Sequence, residues 1–332
     1  MNQQSTHINK ISVILPVFNG IKYLEKSVYS VINQDFNDFE FLICDDFSND
    51  GSYEYLKSLN SSKIKLFRNS ENIGLFPTLN ILIKKCNSPL IHLWAQDDIM
   101  LPNCLEETVK FHEKFQNINF SFSRLQSIDE KDNLVRKPDT FAHKTISAEG
   151  HAISSILYGS IAGNISNVCI VKKAVENIGY FNEKMKYVGD FEMWCKLSKN
   201  TAIGMNGKIL VHVRQHSGQY SRNIEASYYK LQETINVYAC FLDTIKPELR
   251  KKAKRALKWK IYPSYFTQFL FILKNKKLSL AFKYLRFINK YNFIPFLVFK
   301  WFIISFLDLI DKKEKFYLNY LIKPIERTRK NI

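Results

Sequence analysis

None of the six cysteines stands in a CxxC pair, and several, such as Cys44, lie inside apolar runs where a free thiol behaves as a small hydrophobe. That leaves no dithiol redox or CxxC metal motif, and a reduced, cytosolic setting is expected. The glycine fingerprint of a dinucleotide fold is missing too. After the first apolar run the chain reads Pro16-Val17-Phe18-Asn19-Gly20 rather than GxGxxG, which disfavours a nicotinamide enzyme. There is no P-loop, and no DxD directly after that run, as an aspartyl-phosphate hydrolase needs. His212 and His216 are four apart, but their segment is strand-like and lacks HExxH, so a zinc protease is rejected. No cleavable signal is read at the start, because the first apolar run is only eight residues and contains Pro16. Internal repeats and low-complexity segments are absent.

Acidic residues are scarce only in the tail. From Lys251 onward there are 20 Lys/Arg against 4 Asp/Glu, so nearly all of the net charge of +17 sits there and the first 250 residues are almost neutral. A basic run of this kind reads either as a solvated helix face or as attraction to something anionic.

Three acidic groups each follow an apolar stretch: Asp45-Asp46 after 39–44, Asp97-Asp98 after 90–94, and Asp190. Short apolar runs between turn signals read as buried parallel strands. In open α/β sheets ligands bind beyond the carboxyl ends of the strands, so carboxylates there point to chemistry. The pattern predicts strands at 11–18, 39–44, 64–67 and 90–94, with helices at 23–34, 52–59 and 77–86 between them. That alternation predicts a doubly wound, mostly parallel sheet. Further on, a helix is expected to about Phe115, a strand at 119–127, polar loop over 129–150, a strand at 168–171, a helix at 191–197 and a strand at 208–213. Beyond Ser221 the chain reads as wholly helical. Two domains are expected, 1–221 and 222–332.

Six segments, in order, carry a resemblance: ISVILPVFNG, CDDFSNDGS, ENIGLFPTLN, WAQDDIMLP, NIGYFNEKMKYVGDFEMW and VRQHSGQYS. Over about residues 9–221 the chain resembles the inverting family 2 glycosyltransferases of GT-A fold, of the type that builds bacterial surface polysaccharides. The resemblance implies roles. Pro16 and Phe18 would border the donor nucleoside, and Asp46 would accept a hydrogen bond from its base. Asp45 and Ser48 would shape that loop, and Asn72 and Asp97 would complete the donor-nucleotide set. Asp97 and Asp98 match the acidic metal motif, with His216 a further ligand for a divalent ion, Mn²⁺ or Mg²⁺. Arg214 and His216 would lie at the diphosphate. Asp190 falls at the general base, with Glu192 the alternative.

Two positions depart from the family pattern: Ala95 and Gly189 stand where relatives often carry acids. UDP is the favoured nucleotide, then dTDP, with GDP fitting less well. The expected partners are a nucleotide-sugar donor and a glycan or lipid-linked acceptor. A catalytically silent GT-A scaffold is one rival reading, and a nucleic-acid binder using the basic tail is another.

The tail mixes Lys/Arg with aromatic and aliphatic residues at helical spacing, which favours lipid over nucleic acid. Residues 293–310 are almost wholly apolar, yet Lys300 and Asp308 would each cost about 2.5–3.5 kcal/mol inside a bilayer. An in-plane anchor on an anionic membrane is therefore expected, placing the protein on the cytoplasmic face as a peripheral enzyme.

Overall fold

In the computed structural model, which describes residues 8–136, 142–216, 218 and 224–325, two compact units emerge. One combines Met1–Ser147 with Ala162–Ser217, and the other combines Ala148–Ile161 with Gly218–Ile332.

The first unit is built on strands buried along their whole length, Ile11–Val17 (β1) and Phe39–Asp45 (β2), joined by helix Ile21–Ile32 (α1). Ser52–Ser58 (α2), Ile64–Arg68 (β3), Leu75–Lys85 (α3) and Leu90–Leu93 (β4) follow. These strands lie in the order β3-β2-β1-β4, all parallel. A strand buried on both faces needs apolar residues at every position rather than alternate ones, and β1 (ISVILPV) meets this almost throughout. Helix α1 covers the sheet with Tyr23, Leu24, Val28 and Val31, at helical spacing. The chain runs outward from β1 through β2 to β3, then returns to β4 on β1's other side. That reversal is where an open α/β sheet forms its ligand crevice.

Beyond β4 the pairing is mixed. The chain continues through Ile99–Met100 (β5), Cys104–Lys114 (α4), Ile118–Ile128 (β6), Leu134–Arg136 (β7) and Lys144–Ile146 (β8). After the excursion into the second unit come Val168–Val171 (β9), Lys172–Ile178 (α6), Gly189–Ser198 (α7) and Ala202–Arg214 (β10). Strand β9 is antiparallel to both β4 and β6, and β10 is parallel to β6 and antiparallel to β5. The α/β class with a parallel half-sheet stands as expected from the sequence. The polar stretch 129–150 does not read as the expected loop. It holds β7 and β8 and the start of a helix, because β10, which begins six residues earlier than expected, offers β8 an edge to pair with.

The second unit is helical throughout its described residues. It comprises Ala148–Tyr158 (α5), Ser227–Thr244 (α8), Pro247–Ala256 (α9), Tyr262–Lys274 (α10), Leu278–Asn289 (α11), Ile294–Leu309 (α12) and Lys313–Phe316 (α13). π-helical turns at Leu257–Ile261 and Tyr317–Ile322 interrupt it. Pro247 and Pro295 stand in the first turns of α9 and α12, where a missing N–H costs nothing, whereas Pro263 follows directly on the π-helical turn Leu257–Ile261. The boundary expected at 221/222 lies outside the described residues. Helix α5, placed in the catalytic part by the sequence, groups instead with the C-terminal helices, where its His151 ring meets Phe241 edge-on at 5.2 Å.

Candidate active site

The site forms where β1 loses one neighbour. Strand β1 pairs with β2 as far as Val17↔Asp45, but with β4 only to Ile14↔Leu93. Pro16 stands in the stretch paired on the β2 side alone, so its missing N–H breaks no ladder on the β4 side. The Gln96 side chain bridges the parted ends: it accepts from Phe18 N at 2.9 Å and donates to Phe18 O at 3.0 Å. Gly20 makes this bridge possible, since a Cβ there would meet the Gln96 amide at 2.4–2.7 Å. The Phe18 ring itself is 44% exposed and offers a flat apolar ledge.

The turn entering α1 is stitched to the loop after β2. Asn19 N donates to Ser48 Oγ, Gly20 N to Ser52 Oγ and Ile21 N to Asp50 Oδ2, each at 3.0 Å. These N–H groups are spent internally. A phosphate held at this helix N-terminus, as in a dinucleotide fold, has little left to bind.

Asp45 is wholly buried. Its Oδ2 lies 3.1 Å from Arg68 Nε and accepts from Ser48 N at 3.1 Å, which fits the loop-shaping role implied for both residues. Asp46 is 3% exposed and clasps the segment after β3: its carboxylate accepts from Asn69 Nδ2 (2.8 Å), Ile73 N (3.0 Å) and Gly74 N (2.8 Å). It therefore fixes the loop that carries the exposed Asn72. Asn69, which also donates to Thr78 Oγ1 at 3.1 Å, was not singled out from the sequence.

After β4 the two neighbouring acids take opposite environments. Asp98 is 1% exposed, accepting from Ser166 Oγ, from Arg214 N at 2.9 Å and from Asn164 Nδ2 at 3.4 Å. Burial first, and the adjacent Asp97 carboxylate second, push its carboxyl up to about 8. Asp97 remains 21% exposed at its side chain and meets His216 Nε2 at 3.0 Å. The His216 ring lies 5.0 Å from Tyr23.

Arg214 departs from the sequence expectation. Its side chain is 1% exposed, and the guanidinium is engaged by Asp97 O and Asp129 O at 2.9 Å each, by Asp132 Oδ1 at 2.6 Å, and by the Tyr23 ring at 4.7 Å. Buried and held by these contacts, it fixes the Asp97 segment in place rather than presenting an open fork to phosphate.

Asp190 lies in the first turn of α7, half-buried, its Oδ1 accepting from Phe191 N at 2.7 Å. The segment before it is clamped by Asn80 of α3, which donates to Phe181 O at 3.0 Å and accepts from Phe181 N at 2.9 Å. Gly189 explains why the family acid is missing there: a Cβ would stand 2.7–2.9 Å from the Phe76 ring. Gly189→Ala is expected to destabilise the protein by about 1–3 kcal/mol through overpacking, and a second change, Phe76→Leu, to recover part of that in thermal unfolding.

The groups left accessible are the Phe18 ring, Asn72, the Asp97–His216 pair and Asp190. They offer, each at its own place in the first unit, a surface for a base, an anionic point with an imidazole beside it, and a carboxylate able to take a proton. Among the described residues no three His, Cys, Asp or Glu side chains converge as a metal cluster.

The fold is the GT-A fold. Crystal structures of S. aureus TarS 1-349 superpose with a TM-score of 0.59 at 17% identity, covering 78% of this chain and 72% of that one. The TarS complex with UDP-GlcNAc gives 0.56 at 17% identity, covering 82% and 89%. At such identity the likeness is one of fold.

Residues 12–170 match the family model for glycosyl transferase family 2. An uncharacterised glycosyltransferase of Rickettsia conorii is 30% identical over 218 residues, 64% of this chain. Another, from Rickettsia prowazekii, is 25% identical over 251 residues, covering 74% of this chain and 76% of its own length. Residues 12–170 thus carry the sequence pattern of a family 2 glycosyltransferase domain. It spans only 35% of the length of the R. conorii relative.

Proposed function

We propose that this protein transfers a sugar from a nucleotide diphosphate sugar, UDP-linked by preference, to an acceptor hydroxyl with inversion at the anomeric carbon. The observation that carries the reading is the parting of β1 and β4, with Phe18, the Asp97–His216 pair and Asp190 left accessible on a family 2 scaffold. The UDP preference draws on TarS, which was crystallised with UDP and with UDP-GlcNAc on the same fold.

The Phe18 ring supports the uracil face. Its N3–H needs an acceptor, and Asp46 supplies one if it keeps a lone pair beyond its three internal bonds. Asp190 takes the proton of the acceptor hydroxyl as that oxygen bonds to the anomeric carbon, and the bond from that carbon to the diphosphate breaks. His216 donates toward the diphosphate oxygens. Asp97 and His216 have the oxygen and nitrogen donors to hold a divalent ion, Mn²⁺ or Mg²⁺; when bound, it neutralises charge building on the leaving diphosphate. Asp98 and Arg214 keep that pair in position. The acceptor in this reading is a glycan on a lipid carrier at the cytoplasmic face of the membrane, in surface-polysaccharide synthesis.

Release of nucleoside diphosphate from UDP-, dTDP- and GDP-sugars, with Mn²⁺, Mg²⁺ or EDTA, tests the reading. Release from a UDP-sugar, abolished by EDTA, is expected. No turnover of any donor with lipid-linked acceptors present, together with no nucleotide binding by calorimetry, would sink it in favour of a silent scaffold.

A further inference from the structure

Helix α12 buries one side and leaves the other bare. Leu297 is fully buried and Ile304 is 9% exposed, so the helix is already docked within its own unit. Phe296, Phe299, Phe302, Phe306 and Leu309 recur at spacings of three and four residues, and each is 59–83% exposed. Residues so spaced share one face of a helix. An apolar face of this extent on a soluble unit marks an interaction surface.

The two charges within α12 leave that face clean. Lys300 Nζ donates to Asn292 Oδ1 at 3.2 Å and lies 5.8 Å from the Trp259 ring, and burial lowers its pKa. Asp308 pairs with Lys313 at 2.5 Å. The apparent obstacle to lipid contact, two charges inside an apolar run, is thereby removed, because neither belongs to the phenylalanine stripe.

We infer that this stripe is a docking face for an anionic bilayer surface, on which α12 lies in the membrane plane. Exposed Lys290 precedes the helix, exposed Lys312 and Lys315 alternate with exposed Asp311 and Glu314 after it, and the tail from Lys251 onward carries 20 Lys/Arg against 4 Asp/Glu, so the apolar face belongs to a segment of strong net positive charge. That charge selects the occupant. A second copy would set one strongly basic segment against another, whereas acidic headgroups complement it.

Crossing the bilayer is disfavoured by length. Sixteen residues make a helix of roughly 24 Å, short of the roughly 30 Å hydrocarbon core. No single helix among the described residues is long and apolar enough to span. The pair α11 and α12 passes that test only together and is bent by 98° at the break. The inference is independent of the donor chemistry proposed above.

Flotation of the full-length protein with vesicles of phosphatidylcholine, alone or mixed with phosphatidylglycerol, tests it. Binding is expected to the mixed vesicles, to weaken with salt, and to fall at least tenfold, about 1.4 kcal/mol, in Phe299→Ser/Phe306→Ser. Both positions are exposed, so the melting temperature and vesicle-free release of nucleoside diphosphate should match the parent protein. Undiminished vesicle binding by this double variant overturns the inference. So does failure to bind either vesicle when the parent is a dimer that the variant breaks, or when it binds duplex DNA instead. Retention on vesicles after an alkaline carbonate wash would also overturn it, in favour of a span.

Discussion

Asp190→Asn is expected to lower kcat by roughly 100- to 10,000-fold while leaving donor affinity unchanged, the range that a positioned general base contributes. The substitution keeps the shape of the side chain and an oxygen able to accept from Phe191 N, so that bond in the first turn of α7 is retained. What disappears is the capacity to take a proton. Single-turnover kinetics with a bound donor should show a slow chemical step, and calorimetry should show unaltered binding of the nucleoside diphosphate. A melting temperature within a few degrees of the parent would separate this from a folding defect.

Glu192 is the competing base, two residues on. Burial raises its pKa, and Lys196, at 3.7 Å, pulls the other way. That environment suits a general base in principle, but Glu192 is 18% exposed and turned onto its own helix through the Lys196 pair. Glu192→Gln should therefore cost less than about tenfold in kcat. If the order of the two effects were reversed, Glu192 would be the base and Asp190 only a helix cap.

What the sequence revealed and what it hid follow from the range of the forces involved. Strands β1, β2 and β4 are legible because burial on both faces forces an apolar run, and the carboxylates after them are legible because a turn must follow. Prolines mark the starts of α9 and α12 for an equally local reason. The pairing of β7 and β8 was hidden, since both depend on edges supplied by β6 and β10. Asp97 and Asp98 are chemically identical neighbours, and only the arrival of Ser166, Asn164 and Arg214 from distant segments makes one buried and the other accessible. Gln96 likewise gives no sign of its role until Phe18 lies opposite it. The charges within α12 argued in sequence against a span, and in space they leave its exposed stripe intact.

Arg214 carries the second large effect, and it separates two roles that sequence alone confounds. An arginine beside a histidine near an acidic motif reads as a phosphate ligand. Here its guanidinium meets Asp97 O, Asp129 O and Asp132, with the Tyr23 ring against it. Truncation to alanine strands two carbonyls and removes one partner of an ion pair. Breaking a buried pair costs about 3–5 kcal/mol; the lower end applies because Asp132 is 34% exposed and keeps Lys26 at 2.5 Å. For a unit of roughly 200 residues, about 3 kcal/mol lowers the melting temperature by roughly 6–12 °C. Arg214→Lys keeps the charge but loses the planar fork that reaches two carbonyls and a carboxylate at once, so it too should melt early. A direct diphosphate ligand would behave differently: the lysine variant would raise donor KM and leave the melting temperature alone. Early melting in both variants, with the loss of turnover tracking the loss of fold, is the result that assigns Arg214 to holding Asp97 and its loop.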